Sequence, residues 1–358
     1  MGETATCRLP SALLPPQTAR RKPLNYMTIS TPDSTILRSD RAQLPWLPGE
    51  TPLMLAPMQG LTNRALRSLF ISWVRPDVVC TEFMRVNPVA AKKRLSPGDL
   101  REISPSEGGV PLVVQLIGHG REALVSAAQS AQDAGAVHLN LNMGCPYGRM
   151  TSGLTGGGML KKPELLEEII PALREAISGT FSIKLRAGYE DPRQIFSLLP
   201  LFEASGVDFL VLHPRTVRQA YNGLADHGIT AEVVQRTALP VIANGDIRST
   251  AGGLRVLKET GAAGLMLGRG GIGEPMLFER LRGRATGEPD ARERRAMLRR
   301  YLDGLLPLYC ELFCGDSQVL GKIKGVVANV EDPELDKMLK QLTRSKTLGA
   351  FQAAVEEL

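Results

Sequence analysis

Residues 136–160 read AVHLNLNMGCPYGRMTSGLTGGGML. The first part, Val137-His138-Leu139-Asn140-Leu141-Asn142, alternates apolar and polar side chains, the period of a half-buried strand. It runs into a turn, Met143-Gly144-Cys145-Pro146, that carries one thiol. A glycine-rich loop follows and closes on Gly156-Gly157-Gly158. A cysteine just past a strand end has two readings. It packs as a small hydrophobe, or it meets a ligand held at that end of the sheet. Which of these holds depends on what the other strand ends carry.

The same rhythm extends on both sides. Strand candidates fall at 52–58, 78–84, 111–118, 136–144, 181–188, 209–216, 240–247 and 264–271. Between them lie stretches with apolar residues at helical spacing: 63–74, 121–134, 163–178, 191–205, 228–238 and 249–260. The segment 85–110 is irregular. Eight βα units in about 230 residues predict an α/β fold, a closed (β/α)8 TIM barrel, with an open doubly wound sheet as the alternative. From about Arg282 the period changes to helices alone. The expected domains are therefore an extension over 1–50, rich in Pro, Thr, Ser and Arg and without periodicity, a barrel over 51–284, and a small helical domain over 288–358.

Each strand candidate is apolar first and polar last. The ends carry Pro57-Met58-Gln59, Gln115, Asn142 with Cys145, Lys184 with Arg186, His213, Asn244-Gly245-Asp246 and Gly268-Arg269. In a barrel these ends converge on one face, which is where active sites sit. The pair VIANGDI and LMLGRG, after strands seven and eight, suits a phosphate held on backbone N–H groups, so Asn244, Gly245, Gly268 and Arg269 are candidates for a phosphorylated cofactor. Lys184 and Arg186 are two apart on one strand and face the same side, as cations for an anion or electron-rich carbonyls; Lys184 either holds a phosphate or a ring's negative charge, or is a paired structural lysine. His213 is a cofactor or substrate contact, or a satisfied core histidine. Glu82 and Arg85 either meet the substrate or pair with each other. Residues 268–273 also match G-x-G-x-x-G, but no strand ending in an acid follows at Rossmann spacing.

The chain has 358 residues, is 43% hydrophobic and carries a net charge of +6 without a concentrated basic block. Its five cysteines are scattered, so no disulfide framework is implied. Cys310 and Cys314 lack partners at zinc spacing, and no metal is expected. No apolar run approaches the roughly 20 residues of a membrane span. The N-terminus makes a poor signal peptide, and a cytoplasmic, monomeric protein is expected.

Taken together, LAPMQG (55–60), TEFMRV (81–86), VQLIG (114–118), LNMGCP (141–146), the glycines and Leu of 156–160, IKLRAG (183–188), LHPRT with YNGLAD (212–226), VIANGDI (241–247) and LMLGRG (265–270) resemble the tRNA-dihydrouridine synthases. The triple glycine looks most like their bacterial C-type branch. The resemblance implies FMN as cofactor, NADPH as reductant, and reduction of a uridine in the D-loop of tRNA. It implies Cys145 as general acid. It places FMN on Pro57, Met58, Gln115, Lys184, His213, Asn244, Gly245, Asp246, Gly268 and Arg269, and the uracil on Asn142 and Arg186. The helical domain, with Arg299, Arg300, Lys322, Lys324, Lys337 and Lys340, would hold the tRNA backbone. The chain departs from the family at Tyr147-Gly148-Arg149, where a small residue and a lysine are usual and Arg149 stands as the cation, and at His227, where a Trp is common. A reductase or dehydrogenase of a free pyrimidine, and dihydrouridine formation on rRNA, remain as alternatives.

Overall fold

The computed structural model describes residues 43–89, 94–104, 106–147, 154–285 and 289–358; Gly148 and Arg149 lie outside them. Eight parallel strands carry the fold: β1 (Leu53–Leu55), β2 (Val78–Cys80), β3 (Val110–Ile117), β4 (His138–Met143), β5 (Thr180–Gly188), β6 (Phe209–Thr216), β7 (Val241–Asn244) and β8 (Gly264–Leu267). Their hydrogen-bonded order is β2-β1-β8-β7-β6-β5-β4-β3, and β3 pairs back onto β2 through Val79 with Leu112 and Cys80 with Val113. The sheet is therefore a closed barrel, and the open doubly wound alternative is excluded. Short two-residue strands at Met84–Arg85 and Ser106–Glu107 extend β3 at its edges.

All eight strand candidates form, but several end earlier than the apolar run. After β1 the chain leaves the ladder at Ala56-Pro57-Met58, because Pro57 has no N–H to give. After β7 it leaves at Gly245, whose φ of +119° no side-chain-bearing residue readily adopts. A Cβ there would also lie 2.8 Å from the His213 ring. The strand ends thus turn into loops at the level where the polar residues sit.

The barrel interior is filled by Met54, Val78, Cys80, Val113, Phe209, Val211, Ile242 and Met266. Trp46 closes the end away from the polar loops, stacked edge-on to Phe209 with ring centroids 4.9 Å apart. Outside run helices α1 (Arg64–Trp73), α2 (Arg121–Asp133), α3 (Leu166–Ala176), α4 (Gln194–Ala204), α5 (His227–Arg236) and α6 (Thr250–Thr260). Each falls within about three residues of its periodic stretch. Apolar residues on α2, such as Leu124 and Ala128, pack in one cluster with strand residues Leu139 and Leu141.

Helices α7 (Ala291–Leu312), α8 (Asp316–Val327), α9 (Asp336–Arg344) and α10 (Leu348–Glu356) complete the chain. A capping box formed by Asp290 and Glu293 starts α7. These helices share one apolar cluster with α1, β1 and β8: Phe70 meets Phe278 and Tyr301, and Trp73 meets Tyr301. Two polar contacts reach the barrel mouth from them. Lys322 Nζ donates to the carbonyl of Gly60 at 3.3 Å, and Arg248 pairs with Glu331. Among the described residues no helix is long and apolar enough to cross a membrane, and no cluster of side chains could hold a metal ion.

Candidate active site

A cavity of about 600 Å³ opens at the carboxyl ends of the strands. Its wall includes Pro57, Met58, Asn142, Cys145, Lys184, Arg186, His213, Asn244, Gly245, Asp246, Gly268 and Arg269, so every residue expected at the site lines it except Gln115. Strand register explains the convergence. Asn142 lies level with Lys184, and Arg186 with His213. Residues of like position in neighbouring parallel strands project to the same height.

The thiol is held from below. Asn142 Oδ1 accepts from the backbone amides of Gly144 and Cys145, both at 3.0 Å. Asn142 Nδ2 donates to Gln115 Oε1 at 2.8 Å, and Gln115 Nε2 donates to Asn140 Oδ1 at 2.7 Å. Asn140 Nδ2 continues to Ser182 Oγ at 2.8 Å. Gln115 is 1% exposed, so it sits beneath the cavity floor and braces the turn. Asn142, expected to meet the substrate, has its acceptor taken by the turn it supports.

From the side, Arg186 Nε donates to the carbonyl of Gly144 at 2.9 Å. Its Nη1 donates to the carbonyls of Thr216 and Ala220. One guanidinium therefore joins the thiol turn to the loop after β6, where it also meets the Tyr221 side chain, and it lines the cavity. From above, the carbonyl of Cys145 accepts from Gly157 N–H at 3.1 Å. A Cβ on Gly157 would come within 2.8 Å of that oxygen, so the glycine run is required by close packing on the thiol turn.

Burial pushes the Cys145 thiol above its ordinary value. The Tyr147 N–H and the nearby Arg186, Lys184 and Arg85 pull the other way without reversing it. Cys145 is thus a protonated acid at neutral pH, not a thiolate. Lys184 donates to Asn244 Oδ1 at 3.0 Å. Burial, with repulsion from Arg186, brings its amine down from 10.5 to about 8. His213 is held far below the imidazole range by burial and by Lys184, Arg186 and Arg215, so it is neutral. Arg215 Nη1 faces its Nε2 at 3.4 Å, which places the proton on Nδ1. That buried Nδ1 has no partner among the described residues.

The Lys184 shift sets the sign of a pH effect. In the folded chain its proton leaves near pH 8, and in the unfolded chain near 10.5. Between these values the unfolded chain binds more protons, so stability of the ligand-free protein rises with pH. Thermal unfolding of the wild type and of Lys184→Met, compared from pH 7.5 to 9, is expected to show this rise in the wild type alone; above pH 9 the buried thiols of Cys80 and Cys145 act in the opposite sense. An anion held by the ammonium is expected to bind more weakly across the same window.

Asp246 is not an open negative charge. Arg215 holds both its oxygens, at 3.1 and 2.6 Å, Ala225 N–H adds a bond at 2.9 Å, and Arg269 lies 3.7 Å away. These contacts outweigh burial and lower its carboxyl below the usual range. Asp246 also takes a positive φ of 51° beside Gly245. His227 Nε2 meets the carbonyl of Gly245 at 3.0 Å, so this departure from the family pattern serves the same loop. Glu82 accepts from Gly60 N–H at 2.7 Å, while Arg85 lines the cavity.

Three aromatic residues at the site were not singled out in the sequence as site residues: Phe83, Tyr147 and Tyr221. Tyr221 lies under two cations, Arg269 at 4.8 Å and Arg186 at 5.4 Å. Its place in YNGLAD is the one signal for it. The tail cations are largely committed within the chain. Arg300 lies over Trp73, Arg299 meets Asp303 and the carbonyl of Glu356, Lys340 pairs with Asp336, and Lys322 holds Gly60.

The residues present suit a flat, phosphorylated ring system. The Lys184 ammonium and Arg269 face the cavity, Asp246 is already neutralised, and the orphaned Nδ1 of His213 needs an acceptor. At Gly268 a side chain would project toward Met58 Sδ, 3.4 Å from its Cβ, across space that glycine leaves clear. Comparison with known proteins gives the family. The family model "Dihydrouridine synthase (Dus)" matches residues 54–314. The "Probable tRNA-dihydrouridine synthase" of Rhodobacter capsulatus is 33% identical over 67% of this chain and 74% of its own. The tRNA-dihydrouridine synthase B of Vibrio vulnificus is 34% identical over 64% and 70%. The tRNA-dihydrouridine(16) synthase of Haemophilus influenzae is 34% identical over 66% and 78%. The lettered relative here is B-type, which replaces the C-type branch expected from the triple glycine. On the match to its model and on these relatives, the chain belongs to the dihydrouridine synthase family.

Proposed function

We propose that the protein reduces the C5–C6 double bond of a uridine in the D-loop of tRNA to 5,6-dihydrouridine, with FMN as cofactor and NADPH as the reductant. The observation that carries this reading is the thiol of Cys145. It is held protonated, on a turn braced from three sides, at the wall of a cavity that also presents Lys184, Arg186 and a neutral His213. FMN, when bound and reduced, supplies a hydride to C6 of the uracil.

The chain's own residues do the rest. Lys184, Asn244, Gly245, Gly268 and Arg269 would hold the cofactor, with Pro57 and Met58 lining the same cavity and the unpartnered Nδ1–H of His213 as a further donor to it. Asp246 fixes the Gly245 loop through its pairing with Arg215. Arg186 and Asn142, which line the cavity, would meet the uracil carbonyls, where hydrogen bonds stabilise the negative charge that develops as C6 is reduced. Cys145 gives its proton to C5, so hydride and proton together add two hydrogens. The uridine has to leave its stack to enter, which costs least in a loop.

Mass mapping of dihydrouridine across tRNA and rRNA, from cells with and without the gene, tests this reading. A single D-loop uridine is expected to lose its two extra hydrogens in the absence of the gene. A change confined to rRNA, or turnover of free uracil or dihydroorotate by the pure protein, would replace it.

A further inference from the structure

Tyr147 follows the thiol turn by two residues and is 63% exposed, unusually open for a tyrosine beside a cavity. Its backbone and side chain do separate things. The backbone N–H interacts with the Cys145 sulfur, which ties the position of the residue to the acid. The ring lies against Tyr221 with centroids 6.4 Å apart and planes inclined at 45°, and the two phenols also interact through their side-chain oxygens. Tyr221 is 45% exposed and is backed by Arg269 and Arg186. The two rings therefore stand on the loops after β4 and after β6, on either side of β5, in the lining of the cavity, which also includes Arg85.

A phenol this exposed, held by its backbone N–H and along one side by Tyr221, gains little from folding, since most of its apolar surface stays in water. Its environment is instead that of a stacking platform for nucleic acid: aromatic faces flanked by guanidinium groups. Bases stack on such faces regardless of sequence, and cations beside them offset phosphate charge. The cavity itself takes one flattened ring at the thiol. A nucleotide drawn into it leaves its neighbour unstacked at the mouth, which is where Tyr147 lies.

We infer that Tyr147 forms a stacking subsite for the unpaired base next to the reduced uridine, so that it sets affinity for the RNA rather than the rate of the chemistry. This rests on the functional reading above. The phenol ring, not its hydroxyl, is the active part, because Tyr221 already engages the hydroxyl.

The test is steady-state kinetics of the flavin-loaded full chain on an unmodified tRNA transcript, comparing Tyr147→Ala and Tyr147→Phe. Loss of one stacked base predicts a rise in KM of roughly ten- to a hundredfold for the alanine variant, with most of the effect in KM and little in kcat. The phenylalanine variant is expected to restore KM. The rate of Cys145 alkylation by iodoacetamide serves as a check on the turn and is expected to stay within about twofold. An unchanged KM in Tyr147→Ala overturns the subsite. An equal loss in Tyr147→Phe also overturns it, by moving the function to the hydroxyl. NADPH oxidation without RNA separates the two levels of the argument: if the wild-type chain binds flavin and oxidises NADPH but never forms dihydrouridine, the functional reading fails, not the subsite alone.

Discussion

Cys145→Ala is expected to keep flavin and NADPH oxidation while dihydrouridine formation falls by a factor on the order of 10²–10⁴, the range for loss of a positioned general acid. The reason is electrostatic as much as geometric. Burial raises the thiol above its ordinary value, and the cations around it only partly offset that. A nucleophilic cysteine would need the opposite balance, a thiolate favoured by its surroundings. The same balance fixes the pH profile. Transfer to C5 is expected to be flat through neutral pH and to fall only above the ordinary thiol value of 9.0, where the proton is lost. The measurement is single-turnover reduction of tRNA by pre-reduced protein, which separates the proton-transfer step from flavin reduction. An alanine variant with wild-type yield would remove Cys145 from the acid role. The fold has little reason to fail in that variant, since among the described residues the sulfur bonds only to the Tyr147 N–H of its own turn, and the turn is held by Asn142 and Arg186 through backbone atoms.

The architecture was legible because it is written in local periods. The alternation in 137–142 and the 3.6-residue spacing of 121–134 each need only a dozen residues to show themselves, and the order of βα units then leaves few topologies. The polar strand ends were legible for the same reason, since a barrel gathers them whatever their partners. What each polar side chain does was not legible. The sequence offers Gln115 and Asn142 as ligand contacts, yet their amides are joined to each other across 27 residues, through a pairing set by strand register. Arg186 reads as a substrate cation, but three backbone carbonyls, from loops 30 to 42 residues away, take most of its donors. Such partners depend on three-dimensional neighbours that no spacing rule reports. Trp46 lies outside the periodic region, and its role at the barrel end appears only once Phe209 is placed beside it. The tail helices were legible as helices. That their cations largely bind their own chain was not, because Trp73, Gly60 and Asp303 come from distant or same-face positions that composition does not rank.

The second large effect is expected from a residue that never reaches the cavity. Gln115→Leu keeps volume and removes both ends of the amide bridge. Asn142 Nδ2 loses its acceptor, and Asn140 Oδ1 loses its donor, in a site with almost no access to water. Each orphaned group costs about 1–3 kcal/mol, so unfolding by denaturant is expected at a lower midpoint. The catalytic consequence is separate. With Asn142 no longer held, its Oδ1 ceases to pin the amides of Gly144 and Cys145, and the thiol turn gains freedom. A displacement of about 1 Å at a reacting group is enough for a loss on the order of 10²-fold. Thus kcat is expected to fall by about that factor while bound flavin per chain is retained. Gln115→Glu distinguishes a positioning role from general destabilisation. As a carboxylate it still accepts from Asn142 but cannot donate to Asn140. When protonated it can do both. Its kcat is therefore expected to recover as pH falls toward the carboxyl pKa, which burial raises, whereas a merely weakened fold would lose activity at every pH. A Gln115→Leu variant with wild-type kcat would show that the turn is held well enough by Arg186 and Gly157 alone, and that the buried amide chain serves stability only.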